Sequence, residues 1–309
     1  MFNLLRKKNR SSAEPTLPLS SELFCAVHEL EILANRRIAA LMPGECRSAF
    51  RGSGMQFKEF RHYESGDDIR HMSWTVTART GKPTIKVYDE ERELDVLCLV
   101  DLSGSSLSGI SAKCRRDMYA ELVMLLGLAA LRAGDKFGLL FFHDKVDLYL
   151  HSKRSKNQVL AGTARLLAQP LELRRSDLRS ALKHVDTVLK NRSLIIVLSD
   201  FLLPPFEQEL VRLCASHELI LVHCFNDLER GHAPHAVFEA RDPESGEFFL
   251  LDTHSRETRH ALARAQLELM DNLQSLAHRN RASTLSLSLQ DDYFKRLILF
   301  FRHRGASRL

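Results

Sequence analysis

The apolar run that determines the predicted architecture reads Leu94-Asp-Val-Leu-Cys-Leu-Val100 and continues directly into Asp101-Leu-Ser-Gly-Ser-Ser106. A second such run, Leu194-Ile-Ile-Val-Leu198, continues into Ser199-Asp200. Short continuous apolar runs are typical of strands that are buried on both faces of a sheet. Each run therefore predicts a central strand of a mostly parallel sheet, with polar residues at its carboxyl end.

Strands and helices alternate along the rest of the chain. Further strands are predicted at 84–88, 137–142, 146–150, 219–225 and 284–289, and a hairpin over 233–253. Helices are predicted at 21–42, 113–132, 156–168, 177–190, 206–216, 256–281 and 291–303. This alternation predicts an α/β fold with a doubly wound, mostly parallel sheet and helices on both faces. An N-terminal helix and short strands form an extension that precedes it.

Length and composition are those of an ordinary globular chain. The 309 residues suit one large domain with an extension, since single cores stop growing at about 250–300 residues. A hydrophobic fraction of 44% and a charged fraction of 27% exclude a disordered or fibrous chain. The formal net charge of +5 is too small at this length to indicate nucleic-acid binding by itself.

The expected compartment is the cytoplasm. The basic first ten residues are not followed by the apolar stretch of a signal peptide. The longest apolar run, at 122–131, is half a membrane span, so membrane insertion is not expected. The six cysteines lie at least ten residues apart and form no CxxC pair, which suits a reducing environment.

Shifts in composition divide the chain into four parts. Residues 1–20 are basic and then rich in Ser and Pro, which predicts a flexible tail. Residues 21–93 form the N-terminal extension, whose part from 45 onward is dense in charge and lacks a long apolar run. Residues 94–303 form the main α/β domain, and residues 304–309 are predicted to be a second basic tail.

The candidate site lies at the carboxyl ends of the two central strands, where ligands bind in sheets of this class. Asp101, Ser103 and Ser105 follow the first strand, Asp200 follows the second, and Ser176 opens a helix between them. All five offer hard oxygen ligands, which suit Mg²⁺, Mn²⁺ or Ca²⁺ but not Zn²⁺. The alternative is that the serine-rich loop only caps the helix that follows it.

Two resemblances extend this interpretation. Asp-x-Ser-x-Ser after a strand, a later hydroxyl and a later strand-end Asp resemble the metal-ion-dependent adhesion site of von Willebrand factor A domains. The stretch before it resembles the bacterial family labelled domain of unknown function 58, over about residues 45–203 and more weakly to the C-terminus. It reads Phe60-Arg-His-Tyr-Glu-Ser-Gly-Asp-Asp-Ile-Arg-His-Met-Ser-Trp74, then Ala78-Arg-Thr-Gly81 and Glu90-Glu-Arg-Glu93.

The resemblance implies a von Willebrand A-like domain with a family-specific N-terminal segment. Members are often encoded beside AAA+ ATPases of the MoxR type, which implies a non-enzymatic adaptor for such an ATPase and for an unidentified protein client, in chaperone-like or complex-maturation work. It further implies that Ser103 and Ser105 bind the metal directly and that Asp101 and Asp200 bind it directly or through water. Ser176 would take the position of the third-loop hydroxyl. A carboxylate of a partner would take the open coordination position.

The third loop departs from the family pattern, which usually offers threonine. It reads Arg174-Arg175-Ser176-Asp177, so the oxygen ligand is kept but the methyl group that restricts its rotamer is lost. Two arginines near a divalent cation weaken its binding by repulsion unless they point away. Low metal affinity is therefore expected. A plain helix N-cap and a metal ligand both remain possible roles for Ser176.

The segment from Gly66 to Arg79 has two interpretations. In the first, Asp67 and Asp68 form a turn, ion pairs pin the extension onto the main domain, and Trp74 anchors the seam between them. The candidate pairs join Arg61, Arg70 or Arg79 to Glu64, Asp67 or Asp68. In the second interpretation, this segment contacts a partner directly.

The strongest enzymatic alternative is a metal-dependent hydrolase that acts on phosphate esters. Enzymes of the haloacid dehalogenase kind use a nucleophilic Asp after the first strand and a second Asp two residues later as general acid and base. The second position here is Ser103, which cannot transfer that proton near neutral pH. Gly-x-Ser-x-Gly, HExxH and phosphate-loop motifs are also missing from the sequence.

A nucleic-acid partner is not expected. Basic residues occur at Arg47, Arg51, Lys58 and Arg61, and again between Arg302 and Arg308. They are not interleaved with the aromatic residues that would form a stacking platform for bases. We interpret them as a solvated basic surface.

Overall fold

A six-stranded sheet forms the centre of the computed structural model. The structure describes residues 21–39, 56–64, 66–89, 93–107, 114–169, 175–232, 235–241 and 247–306. Numbered in chain order, the strands of the sheet are β3 (Asp95–Asp101), β4 (Lys136–Phe142), β5 (Val146–Lys153), β6 (Ser193–Ser199), β7 (Glu218–Phe225) and β10 (Ser283–Ser288). Two antiparallel pairs lie outside it: β1 (Gln56–His62) with β2 (Thr84–Asp89), and β8 (Val237–Arg241) with β9 (Phe248–Asp252).

The order of the strands confirms the doubly wound architecture. The order is β10-β7-β6-β3-β4-β5, and every neighbouring pair is parallel except β4 and β5. From β3 the chain builds one side of the sheet through β4 and β5, and then crosses over to build the other side from β6. The switch in strand order therefore lies between β3 and β6, the two strands that carry the predicted site.

Helices cover both faces of this sheet. They are α1 (Ser21–Ala39), α2 (Trp74–Thr80), α3 (Arg115–Ala133), α4 (Lys156–Leu167), α5 (Leu178–Val188), α6 (Glu207–Ser216), α7 (Arg256–Arg279) and α8 (Tyr293–Ala306). One core joins α1, α3, α4 and α8 to the sheet, and a second joins α5, α6 and α7 to the opposite face. Within the described ranges, no helix is both long and apolar enough to cross a membrane.

Helix α1 packs into the core of the main domain although the sequence places it in the extension. Its Val27, Ala34 and Ile38 are buried in the same cluster as α3 and α4. The guanidinium of Arg37 lies 5.9 Å from the ring centre of Tyr293 and 5.0 Å from that of Phe294, so α1 also contacts α8. The separate part of the extension is therefore the segment 56–89. The predicted flexible tail, residues 1–20, lies outside the described residues.

The C-terminal boundary also differs from the expected one. Helix α8 continues to Ala306, past the predicted boundary between residues 303 and 304. Arg304 is buried and forms an ion pair with Glu218, at the start of β7. Burial lowers the pKa of the Arg304 guanidinium to about 10. Arg304 thus belongs to the folded domain because the helix carries its side chain inward, which charge composition alone does not reveal.

The segment 56–89 folds as a twisted pair of strands with a short helix against it. Helix α2 was not predicted, since it has only seven residues and three of them are β-branched threonines. The Thr77 hydroxyl accepts the Thr84 backbone N–H at 3.0 Å, and the Ser73 N–H donates to the Thr84 carbonyl at 2.8 Å. These bonds hold α2 against the first residue of β2.

The predicted role of this segment as a pinned seam is wrong in two respects. The predicted ion pairs of Arg61 do form, with Asp67 at 2.8 Å and with Glu64 at 3.2 Å, but they fold the segment on itself and do not reach the main domain. Trp74 is 67% exposed and is therefore no anchor. Its outward direction follows from its position as the first residue of α2, on the side away from β2.

We expect Gly231→Ala to destabilise the protein more than Gly81→Ala. Both glycines have left-handed backbone angles, with φ of 74° and 70°, so each alanine costs about 1–2 kcal/mol in backbone strain. A Cβ on Gly231 would also lie 2.3 Å from the Arg259 carbonyl oxygen of α7, whereas a Cβ on Gly81 meets nothing within 4 Å. The difference between their free energies of unfolding in urea isolates this contact. Equal losses would contradict the close approach of the loop after β7 to α7.

Candidate functional site

The five predicted site residues lie at the carboxyl edge of the sheet. Asp101 ends β3, and Ser103 and Ser105 lie in the loop after it, where a 3₁₀ turn spans Gly104–Leu107. Asp200 follows the last residue of β6, and Ser176 stands two residues before α5. Parallel pairing of β3 with β6 brings these loops to one place, as expected for a switch point.

Hydrogen bonds connect four of these residues directly. The Ser103 backbone N–H donates to one oxygen of Asp101 at 2.9 Å, and the Ser176 hydroxyl donates to the other at 2.9 Å. The hydroxyl oxygens of Ser103 and Ser105 are 3.0 Å apart. Asp101 is only 1% exposed. A buried carboxylate therefore stands among hydroxyl groups from two loops.

The two alternatives for Ser176 are distinguished by the start of α5. Asp177 is the N-cap residue, and its carboxylate accepts the Arg179 backbone N–H at 3.1 Å. Ser176 is buried and directs its hydroxyl to Asp101. The predicted capping role of Ser176 is therefore wrong, and its oxygen lies at the site. Arg175 is exposed, while Arg174 lies outside the described residues.

Ser199 belongs to the site but was not among the five predicted site residues. Its hydroxyl donates to the same Asp101 oxygen as Ser176, at 2.8 Å, and accepts the Phe201 N–H at 3.0 Å. Phe201 has a φ of 55°, a left-handed conformation that is strained for a non-glycine residue. The strand thus turns sharply after Ser199, and this turn places Asp200 beside the edge of the sheet. The adjacent Ser-Asp pair at a strand end was the available signal.

A buried arginine joins Asp200 to the rest of the site. Arg115, in the first turn of α3, is 1% exposed. Its Nη1 lies 2.8 Å from Asp200 Oδ2 and 2.7 Å from the Ser105 carbonyl oxygen. Its Nη2 pairs with Glu229, in the loop after β7. Arg115 was not predicted as a site residue, although a charged residue at the start of a helix that is buried on most sides was a usable signal.

Glu229 brings the neighbouring strand β7 into the network. Its backbone N–H donates to the Asn226 side-chain oxygen at 3.1 Å, and its carboxylate accepts the Asn226 backbone N–H at 3.1 Å. Asn226, directly after β7, therefore fixes the carboxylate that faces Arg115. No local pattern marks Glu229, because its partner lies 114 residues away in the sequence.

The site is short of positive charge. When ionised, Asp101, Asp200 and Glu229 carry three negative charges against the single positive charge of Arg115. Burial, and then the nearby charge of Asp200, raise the pKa of Asp101 to about 6. Among the residues that the structure describes, no cationic side chain forms an ion pair with Asp101. Two uncompensated negative charges equal the charge of one divalent cation.

The donor set fits Mg²⁺, Mn²⁺ or Ca²⁺. Its oxygens come from two carboxylates and three serine hydroxyls, which are the hard ligands that these ions prefer. In the described part of the chain, no three His, Cys, Asp or Glu side chains form a cluster that could hold a metal. Any cation here would therefore depend on the serine oxygens as well as on Asp101 and Asp200.

Arg115→Met is expected to lower the free energy of unfolding by about 3–5 kcal/mol, because it leaves the buried carboxylate of Asp200 and the partly buried one of Glu229 without their cation. Arg116→Met is the matched control at the next position. Arg116 lies 4.0 Å from Asp117 and donates to the Gln169 carbonyl at 3.3 Å, so its loss costs about 1–2 kcal/mol. Urea unfolding measures both values, and Arg115→Lys, which keeps the charge, should fall between them. Equal costs for the two methionine variants would contradict a structural role for the Arg115 network.

Relatives of similar length are found in mycobacteria. The chain is 26% identical over 294 residues to the uncharacterized protein Rv1480 of Mycobacterium tuberculosis, which covers 92% of this chain and 91% of that protein. The uncharacterized protein Mb1516 of Mycobacterium bovis matches to the same extent.

Solved structures that match about two thirds of the chain share little sequence with it. The conserved hypothetical protein BatB from Bacteroides thetaiotaomicron is 11% identical, with a TM-score of 0.45 over 69% of this chain and 99% of that one. The SpRpn10 VWA domain is 12% identical, with a TM-score of 0.39 over 67% of this chain and 94% of that one. The family is given by sequence: residues 59–270 match the family described as protein of unknown function DUF58. The chain therefore belongs to the DUF58 family.

Proposed function

We propose that this protein is a non-enzymatic protein-binding adaptor that holds a divalent cation, Mg²⁺ in the first place, at the carboxyl edge of its sheet. The observation that carries the proposal is the buried Asp101 carboxylate, which has hydroxyl and N–H partners but, among the described residues, no cationic one. Such a carboxylate is costly unless a charge compensates it. A cation coordinated by the neighbouring serines would supply that charge.

The residues of the site divide into ligands and supports. Ser103 and Ser105 would bind the cation through their hydroxyls, with Asp101 and Asp200 acting directly or through water and Ser176 as the fifth donor. Ser199 orients Asp101 through its 2.8 Å hydrogen bond, and Arg115 holds Asp200 at 2.8 Å. When bound, the cation would offer an open coordination position to a carboxylate of a partner protein.

Arg115 also gives a reason to expect modest metal affinity. Its guanidinium bonds both Asp200 and the carbonyl of Ser105, so it stands close to the proposed cation, and like charges repel. The predicted source of this repulsion was the pair of arginines in the third loop, of which Arg175 is exposed. A partner carboxylate would add the negative charge that offsets this repulsion. Metal and partner are therefore expected to bind cooperatively.

The surroundings of the site suit contact with a protein. Leu202, two residues after Asp200, is 58% exposed. The loops that carry Ser176 and Asp200 lead into α5 and α6, and a groove of about 790 Å³ lies between these helices. Arg179, Lys183 and Val211 are among its lining residues. An apolar side chain beside a charged groove is the mixture found in protein interfaces.

The alternative, a hydrolase of phosphate esters, fits the site less well. Its nucleophile would be Asp101, which is 1% exposed and accepts hydrogen bonds from Ser103, Ser176 and Ser199. The position of the general acid and base is Ser103, whose hydroxyl is within hydrogen-bond distance of Ser105.

The proposed partner, an AAA+ ATPase of the MoxR type acting on a protein client, is supported by family membership.

Metal binding is tested by calorimetric titration of Mg²⁺ and Mn²⁺ into the wild type, Asp101→Ala and Asp95→Ala. Asp95 is the matched control because it lies on the same strand, at the opposite end from the site. Saturable binding is expected in the wild type and in Asp95→Ala, and none in Asp101→Ala. Equal binding by Asp101→Ala, or no binding by the wild type up to millimolar metal, would contradict a site that this chain completes alone.

Partner binding is tested with a purified MoxR-type ATPase immobilised in Mg²⁺ or in EDTA. We expect capture of the wild type and of Asp95→Ala in Mg²⁺, with at least a tenfold loss in EDTA or on Asp101→Ala, because the partner carboxylate needs the cation. Turnover of p-nitrophenyl phosphate is measured on the same proteins. Metal-dependent turnover that disappears in Asp101→Ala would favour the hydrolase instead.

A further inference from the structure

The short helix α2 has one side that faces its own segment and one that faces solvent. Thr77 accepts a hydrogen bond from the first residue of β2, and Val76 and Thr77 are the partly buried residues of the helix, which marks its inner side. Helical periodicity places Trp74, Thr75, Ala78 and Arg79 on the other side, and all four are exposed.

Two exposed apolar side chains stand at the start of α2 and in the turn before it. Trp74 is 67% exposed, and Ile69, in the 3₁₀ turn that leads into α2, is 60% exposed. Isolated exposed apolar residues are common on protein surfaces, but tryptophan is the residue type that most often dominates the energy of a protein interface. The interpretation in which the segment from Gly66 to Arg79 contacts a partner directly thus gains a physical basis.

Basic side chains flank these two residues in the sequence, while Glu64, Asp67 and Asp68 form ion pairs within the segment. Asp67 accepts the Glu64 N–H and pairs with Arg61, each at 2.8 Å. Asp68 caps the 3₁₀ turn by accepting the Arg70 N–H. The Arg70 side chain, at 91% exposure, is only 3.9 Å from the same carboxylate. Over the described residues, neither Arg79 nor Lys82 has a carboxylate within ion-pair distance, and both are exposed.

We propose that the α2 surface, defined by Ile69, Arg70, Trp74, Arg79 and Lys82, docks a segment of a protein partner that carries carboxylates beside an apolar side chain. The apolar side chain would pack on Trp74 and Ile69. The carboxylates would pair with Arg70, Arg79 and Lys82. The surface has the mixture of tryptophan and arginine that is enriched at interface hot spots, together with two basic side chains, Arg79 and Lys82, that have no ion-pair partner among the described residues.

A protein fits this surface better than a single-stranded nucleic acid. Single strands are bound by successive aromatic side chains on which bases stack. The α2 surface presents a single tryptophan, the only one in the chain, and one isoleucine. Isoleucine offers no flat face for stacking but packs well against the apolar side chains of a protein.

This docking shares no residue with the candidate metal centre and does not need the cation. It is therefore independent of the proposed function and can hold or fail separately. If both surfaces act, one molecule of this protein holds two partners at once, one through the metal and one through α2.

The test selects peptides from a random phage-displayed library on the full-length protein in EDTA, which silences the metal centre. A fluorescein-labelled copy of the strongest binder is titrated by anisotropy. The unlabelled copy is followed by the emission of Trp74, which should shift to shorter wavelength and lose acrylamide quenching as the exposed ring is covered. A version of the peptide with Asn and Gln in place of Asp and Glu is the ligand control.

Two variants remove the two parts of the surface, Trp74→Ala and the double reversal Arg70→Glu/Arg79→Glu. The matched control is Lys190→Glu/Arg192→Glu, which reverses two exposed basic residues at the amino end of β6, away from the carboxyl edge. Circular dichroism confirms that all are folded. We expect acidic and apolar positions in the selected peptides, at least a tenfold weaker Kd for both variants, and a change of less than twofold for the control.

Three results would overturn the proposal. The first is a selection that yields no binder, or binders without acidic residues. The second is a double reversal that binds as the control does. The third is a single-stranded oligonucleotide that binds the wild type and loses affinity on Arg70→Glu/Arg79→Glu while no peptide does, which would assign the surface to nucleic acid.

Discussion

Parallel pairing of β3 with β6 is the constraint on which the candidate site depends. The register places Val100 opposite Leu198, so both strands finish at the same edge and Asp101 meets Ser199, 98 residues away in the sequence. Strand β4 fixes the exit of the loop, since the Leu102 N–H donates to the Phe142 carbonyl at 2.8 Å. A slip of one residue would move Asp101 to the other face of the sheet. Correct pairing of β3 with β6 is therefore sufficient to bring Asp101 beside Ser199 at the carboxyl edge of the sheet.

The charges that this pairing buries explain why the site extends to three strands. A buried carboxylate is costly unless a positive charge and hydrogen bonds compensate it. Arg115 does so for Asp200 and Glu229, which ties β6 to β7 through α3. Asp101 receives only hydroxyl and N–H donors from the residues described. The network is thus ordered around Asp101, the carboxylate without a cationic partner among the described residues, and a cation that binds the folded state alone would stabilise it by mass action.

Local patterns were sufficient to predict the parts of the structure that are local. Continuous apolar runs predicted the central strands, and the rule for doubly wound sheets placed Asp101 and Asp200 together. Arg115 and Glu229 escaped because their pairing spans 114 residues and leaves no sequence pattern. Trp74 was wrongly expected to be buried, since hydrophobicity does not tell which side of a short helix faces solvent. The metal, the client and the ATPase stay predictions, because their evidence lies in interactions with other molecules.

The region that matches the family is shorter than the unit that folds. The family match covers residues 59–270, which contain the α2 surface and the candidate metal centre. It leaves out α1, β10 and α8, although α1 and α8 bury Val27, Ile38, Leu297 and Phe301 in the same core as α3. Without these flanking elements, α3 would lose its cover and β7 its outer neighbour in the sheet. Because Arg115 stands in the first turn of α3, segments outside the family match hold in place the helix that positions Asp200.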